Sequence, residues 1–500
     1  MKRALLNRRH ASLDLEQLQR YRDLFSGGED FRRRISRYLI KNDLEPQAIY
    51  DRRCESAHYL NYSGPIGGYF ASLLFSKELL LGIDGETETP PAYVDFLKNV
   101  DGKGQTFASF LRSRFVEALQ TQCAYWRVDF PRSVDAATLA ATTAYEYEQA
   151  SMGEAVLTPI PRESLINWSC DGDGWKWVLH YCVESELEDI ESEQLTITEH
   201  WTAYYRDGRV RRWESRRLAD QSISDDDEIS EVAAPPNPTQ QIPIVELSLN
   251  DDLWLMAHLA DGQLEHFRKR VALSWAIDRT CYAMPIFNLK GKKHPPKMGA
   301  GYYLMLGIDE TVTYAAPPAD SFAVIADYTA TLKDELHRVS TTMARGVDNN
   351  AAAIGRSGES KDADDRATEV VLDAYGARVK DPAAKTLQLM SRARGELLKW
   401  TAAGMSGYKL PPAKDTAEAA ATLSTLNIPS ATAKIKIYMR AIRAMNPDLT
   451  EEEARQIEEE LEAAVTQEDV IAERDMATEA QQQALEGAAT DNASTGAANE

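Results

Sequence analysis

The chain has 500 residues, enough for about three domains of ordinary size or for one large mixed body with appendages. Hydrophobic residues make up 43% and charged residues 27%, a globular balance that excludes wholesale disorder. The formal net charge is −22 and unevenly placed: residues 451–500 hold 15 acids against 2 bases, so the body is mildly acidic and the tail strongly so. An acidic surface gains little from counterion release. That disfavours tight static binding of nucleic acid over the whole surface, while a local basic patch or transient passage of DNA stays open.

The start, MKRALLNRRHASLDLEQ, is basic without the apolar core of a secretory signal. Residues 1–45 are rich in arginine (Arg8, Arg9, Arg20, Arg22, Arg32, Arg33, Arg34, Arg37), and Leu15, Leu18, Tyr21 and Phe25 predict one short helix. The arginines read either as a solvated helix face or as an arm that grips an acidic neighbour or nucleic acid. Residues 46–121 read as helical with breaks. In YLNYSGPIGGYFASLLFSKEL (59–79), Gly64-Pro65 and Gly67-Gly68 predict a turn before an apolar helix, and residues 107–120 predict an amphipathic helix. AYWRVDFP (124–131) alternates and reads as a strand.

Residues 155–248 are β-rich. SLINW (164–168), WKWVLHYC (175–182), LTITEHWTAYYR (195–206) and VRRWESRRL (210–218) are aromatic and β-branched, with hairpin signals at Asp171-Gly172-Asp173-Gly174 and Asp207-Gly208. The first of these lacks the 12-residue ligand pattern of a calcium loop and reads as a turn. The polar stretch 219–241 reads as a loop, and IPIVELSL (242–249) as a return to the sheet.

From 251 the pattern changes. Leu253, Met256, Ala260, Leu264, Phe267, Val271 and Trp275 predict a long helix to about residue 279. Short strands are expected at 283–291, 302–308 and 312–316, around a basic loop at 291–301. A second long helix, with Asp320 as N-cap, carries the stripe Phe322, Ile325, Tyr328, Leu332, Leu336, Val339 and Met343. Residues 346–363 read as a mobile loop. A third long helix is expected over 364–403, kinked or broken at Pro382. Three shorter helices are expected over 411–470, the last opened by a Thr450/Glu453 capping box, with a frayed tail over 474–500.

Chemistry-bearing motifs are scarce. The five cysteines (Cys54, Cys123, Cys170, Cys182, Cys281) form no CxxC and read as reduced thiols in a cytoplasm. The eight histidines form no HExxH and no zinc-spaced cluster, and the pair His258/His266 reads as structural. There is no GxSxG, no Walker A sequence, and no run of about 18 apolar residues to span a membrane. No catalytic residue, metal ligand or cofactor site is assigned.

The order of elements is more informative: a mixed body, a long helix, a small β excursion, a return helix, a loop, a proline-bearing long helix and a helical end. On that order the chain resembles the portal proteins of tailed bacteriophages. YLNYSGPIGGYFASLLFSKEL looks like the early helix of a portal wing, and SLINWSCDGDGWKWVLHY like the start of the wing sheet. IPIVELSLNDDLWLMAHLADGQLEHFRKRVALSWAIDRTCYAMPIFNLKG resembles the family's sheet strand, stem helix and clip entry. RATEVVLDAYGARVKDPAAKTLQLMSRARGELLKWTAAGMSG resembles the helix after the tunnel loop, and SATAKIKIYMRAIRAMNPDLTEEEARQIEEELEAA the closing crown helices.

The resemblance implies an α+β portal fold. Its parts would be an N-terminal arm (1–45), a wing (46–250), stem helices at 251–280 and 321–345, a clip (281–320), a tunnel loop (346–363), a long wing helix (364–410), a crown (411–473) and an acidic tail (474–500). It implies a non-enzymatic homo-oligomeric ring of about twelve subunits at one capsid vertex of the virion, assembled in the bacterial host cytoplasm. Double-stranded DNA would pass through it non-specifically. Partners would be the terminase large subunit, a head-tail adaptor, and the major capsid and scaffolding proteins; no membrane is involved. Arg356 and Lys361 in the tunnel loop are candidate DNA guides, and Lys290, Lys292, Lys293, His294 and Lys297 in the clip a candidate partner-docking patch. A tail or baseplate component, or a carboxylate-based hydrolase in the 155–248 sheet, are the rival readings.

Overall fold

The first 45 residues fold as four short helices rather than one. The computed structural model describes residues 1–85, 89–131, 154–187, 194–280, 284–288, 311–315, 320–342, 358–396 and 398–408, with scattered helical residues between 435 and 463. The helices are α1 (Arg3–Leu6), α2 (Leu15–Ser26), α3 (Gly28–Arg33) and α4 (Ile35–Tyr38). Asp14 caps α2 by accepting a 3.0 Å hydrogen bond from the Gln17 amide, and Gly27, at φ +62°, turns α2 into α3. Several of the arginines grip acids of this same chain. Arg34 donates to the buried Asp23 at 2.7 Å, Arg22 pairs with Glu117 at 3.6 Å and with Glu163, and Arg20 pairs with Asp261. Arg8, Arg9, Arg32 and Arg37 are exposed.

After α5 (Gln47–Ser56), α6 (Ser63–Leu74) contains the glycines that composition assigned to a turn. Pro65 falls in the first turn of α6, where backbone amides have no helical acceptor, so it does not stop the helix. A Cβ on Gly64 would lie 2.5 Å from the Phe25 carbonyl oxygen, and one on Gly67 2.6 Å from the Phe25 ring. These two glycines serve close approach of α6 to α2. β1 (Leu79–Ile83), α7 (Pro91–Lys98) and α8 (Phe107–Thr121) follow, the last capped by Thr106.

The β-rich region forms two antiparallel sheets. β2 (Cys123–Asp129) is central in a three-stranded sheet between β3 (Val156–Ile160) and, later in the chain, β9 (Ile244–Ser248). β4 (Leu165–Asp171), β5 (Gly174–Leu187), β6 (Leu195–Tyr205), β7 (Val210–Leu218) and β8 (Ser230–Val232) pair in chain order as a five-stranded meander. Both expected hairpins are present, with Gly174 at φ +98° and Gly208 at φ +84° supplying the left-handed positions. β8 arises inside the stretch read as pure loop. It pairs with β7 through Arg212↔Val232, Trp213↔Glu231 and Glu214↔Ser230, and Arg211 reinforces the edge by donating to Glu231.

The N-terminus closes over this sheet. The Met1 amino group donates to the Ile229 carbonyl at 2.7 Å, Arg3 N donates to Asp227 O at 2.9 Å, and Leu6 packs with Ile166, Trp201 and Trp213. On β5, burial and the neighbouring Arg127 charge push His180 down to about 4. The neutral imidazole therefore favours the folded state above the ordinary pKa of 6.5. Between about pH 6.5 and pH 4 the unfolded chain binds the extra proton, so stability falls as pH falls. His180→Gln is expected to remove about 1–2 kcal/mol of that acid sensitivity, read from unfolding curves at pH 7 and pH 4.5. An unchanged pH dependence would refute the assignment.

α9 (Leu255–Thr280) leads to β10 (Met284–Asn288), which pairs antiparallel with β11 (Thr311–Ala315), and α10 (Asp320–Thr342) returns. Asp320 is the first helical residue rather than the cap. α11 (Gly358–Ala393) begins six residues inside the expected loop and runs through Pro382 without a break. Burial explains the tolerance: Val379, Ala383 and Leu387 are fully buried around the proline, and such packing offsets the roughly 3 kcal/mol cost of an interior proline. The expected helix to residue 403 instead ends at Ala393. Gly395, at φ +75°, turns the chain, and β12 (Trp400–Gly404) pairs antiparallel with β1 from Ile83↔Trp400 to Leu79↔Gly404.

α11 is the central beam of the core, and the polar tips of the large aromatics around it are all satisfied. Trp126 Nε1 donates to Thr386 Oγ1 at 3.0 Å, Trp400 Nε1 to Ser391 Oγ at 2.8 Å, and Tyr375 OH to the Leu253 carbonyl at 2.9 Å. The architecture is α+β. Residues 1–408 form one compact unit and residues 409–500 a second, in which Ile435 and Met439 pack with Ile457 and Leu461. The strand expected at 302–308, the Thr450/Glu453 capping box and the tail 474–500 lie outside the described residues.

Candidate functional site

Between α9 and α10 the chain carries the antiparallel pair β10–β11. The first part of α9 is core: Leu255, Met256, Leu259, Ala260, Leu264, Phe267 and Val271 are buried. Beyond Val271 the helix emerges, with Trp275 half-buried and Ile277 exposed. α10 lies antiparallel to it. Gly262 meets the Leu336 side chain, where a Cβ would stand 3.1 Å away, while residues from 270–277 and from 326–333 line one cleft at the other end.

The buried stripe of α10 differs from the expected one by one step. Thr329, Leu332 and Leu336 are buried, whereas Tyr328 is 44% exposed. Thr329 can replace the aromatic because its hydroxyl donates to the Ile325 carbonyl at 2.7 Å, which leaves its methyl group for the core.

Between α9 and α10, these helices and the segment from the end of α5 to Tyr62 line an open cleft of about 510 Å³. Its walls combine apolar side chains (Val271, Leu273, Ile277, Ala330) with His58, His266, Arg270 and Lys333, and among the described residues no carboxylate lines it. Arg270 and Lys333 are exposed, and neither makes an ion pair among the described residues. His266 is 1% exposed, its Nδ1 has no hydrogen-bond partner among the described residues, and its ring meets Tyr62 edge-on at 5.1 Å. Burial, then the charges of Arg270 and Lys333, lower its pKa, so it is a neutral aromatic wall at neutral pH. His258, its supposed partner, instead meets the Asp251 carbonyl at 3.0 Å.

Of the seven residues singled out in the sequence, Arg356, Lys290, Lys292, Lys293, His294 and Lys297 lie outside the described residues. Lys361 falls in the first turns of α11, with its side chain undescribed. The cleft cations were missed because Arg270 and Lys333 sit one step off the apolar stripes, where a sequence offers nothing to separate a site residue from a solvated charge. Among the described residues no group of three or more His, Cys, Asp and Glu could hold a metal ion, and no helix is long and apolar enough to cross a membrane. Cys54, Cys123, Cys170 and Cys182 are free thiols, Cys170 being exposed.

No family model and no curated protein matches the chain. Among solved structures, it is similar to a chain from the neck of an empty gene transfer agent particle computed with C6 symmetry, at 12% identity and a TM-score of 0.44, covering 82% of this chain and 98% of that one. It is also similar to a chain from the virion of a native gene transfer agent particle, at 12% identity and a TM-score of 0.40, covering 81% of this chain and 98% of that one.

Proposed function

We propose that this chain is a portal protein of the tailed-phage type: a ring-forming subunit at one capsid vertex that passes double-stranded DNA during packaging and ejection. The observation that carries the reading is the order sheet strand β9, emerging helix α9, antiparallel strands β10 and β11, returning helix α10 and proline-bearing beam α11. That order matches the sequence resemblance to wing strand, stem, clip, stem and long wing helix. In this reading the clip lysines Lys290, Lys292, Lys293 and Lys297, with His294, dock the terminase large subunit or a head-tail adaptor. Arg356 and Lys361 are weak DNA guides.

Charge supports the same reading. A conduit must hold DNA loosely, because every strong phosphate contact resists sliding. In that reading a ring of net-acidic chains repels the duplex from its wall and keeps it mobile.

Negative-stain imaging and native mass on one purified sample test the proposal. The expected result is a ring of about twelve subunits around a central hole. A compact dimer or tetramer without a hole would overturn it.

A further inference from the structure

The two long sides of α10 carry complementary chemistry. On one side, Val324, Tyr328 and Glu335, spaced 4 and 7 residues apart, form a single stripe. Val324 is 68% exposed, Tyr328 44% exposed, and Glu335 is exposed with no ion pair among the described residues. On the other side, Ala326, Ala330 and Lys333 line the cleft. At about 100° per residue the two stripes lie about 170° apart around the helix. One surface is an aromatic and an aliphatic knob beside an acid. The other is an apolar-walled hollow beside two cations that make no ion pair among the described residues.

We infer that the cleft is a socket for the Val324–Tyr328–Glu335 stripe of a second copy of this chain. The inference rests on the ring reading above and deepens it by naming the contact. Tyr328 of the incoming copy enters the hollow against Val271, Leu273 and Ala330, and its Glu335 answers Arg270 and Lys333. Three observations commit the site to this occupant. The cleft has cations and no acid, so it selects an acidic partner. Its apolar wall needs an apolar anchor, and a tyrosine left exposed next to a valine among the described residues is an ordinary interface anchor. Socket and plug lie on opposite sides of the same helix, so the contact is head-to-tail and propagates from copy to copy until rotation closes it.

The test uses the full chain and measures the concentration at half-assembly by sedimentation and native mass. The variants are Tyr328→Ala, Lys333→Glu, Glu335→Lys and the exchange Lys333→Glu/Glu335→Lys. All three positions are exposed in the single chain, and circular dichroism and the melting temperature check that each variant is folded. Each single substitution is expected to raise the half-assembly concentration about tenfold or more, and the exchange to return it to within about threefold of the parent. If the single variants assemble like the parent while the parent forms rings, the contact is overturned and the ring reading stands. If the exchange is no better than the single variants, the Glu335 pairing is overturned. A parent chain that stays monomeric at every concentration overturns both.

Discussion

Replacing Arg3 with alanine is expected to cost about 3 kcal/mol of stability, although the residue lies three positions from the chain start. Its guanidinium is 2% exposed and donates to Glu199 at 2.5 Å and to Ser215 Oγ at 2.9 Å. Burial alone would raise the Glu199 carboxyl. The hydrogen bonds from Arg3 and Tyr181, with the charges of Arg3 and Arg217, outweigh it and hold the carboxyl below its usual range. Removing Arg3 leaves a buried carboxylate with Tyr181 OH at 2.8 Å and Arg217 Nε at 3.6 Å, too little to offset its desolvation. The Arg3 guanidinium also stands 5.5 Å from the Trp201 ring centroid, so tryptophan fluorescence should report the loss. The check is chemical denaturation of parent and Arg3→Ala. Replacing Arg3 and Glu199 together by methionine and leucine should recover most of the loss, because no uncompensated acid then remains. A single variant as stable as the parent would refute the assignment of Arg3 as a buried clasp between the N-terminus and the meander.

That clasp shows where sequence reasoning stops. Arg3 lies in a basic run that reads equally well as solvated charge, and only the fold places it against Glu199, 196 residues away. The meander was legible because its signals are local: alternating aromatic and β-branched residues, with glycines at the two positions that need positive φ. α9 and α10 were legible because one apolar stripe runs the length of each. Pro382 and β12 misled for the opposite reason. Whether a proline is tolerated in a helix, or Trp400–Gly404 extends as a strand, depends on partners in α8, β1 and β2 that are distant in sequence. The candidate site divides the same way. Its helices follow from period, but the cleft is lined by residues of α5, α9 and α10 far apart in sequence, and which of them share a wall is set by packing rather than by any residue type.

Gly67 and Gly68 sharpen the point, because neighbouring residues of one type should respond to the same substitution with opposite sign. In a helix, Gly→Ala gains about 1 kcal/mol by restricting the unfolded chain. Gly68 faces open space, with no atom within 4 Å of where a Cβ would stand, so Gly68→Ala should stabilise by about 0.5–1 kcal/mol. At Gly67 the added carbon would stand 2.6 Å from two atoms of the Phe25 ring and 3.4 Å from Leu255 Cδ2. The Phe25 ring is itself buried, so it cannot swing aside without displacing α2 from α6. The overpacking term, typically 1–3 kcal/mol and larger against a fixed ring, exceeds the helix gain, and Gly67→Ala should destabilise by about 2 kcal/mol. The two variants should therefore differ by about 3 kcal/mol, measured as unfolding free energies under one set of conditions. Were the pair a turn, as its composition suggests, both substitutions would destabilise, because left-handed backbone penalises any Cβ. A stabilised Gly68→Ala beside a destabilised Gly67→Ala is therefore the signature of a helix pressed against its neighbour along one face only.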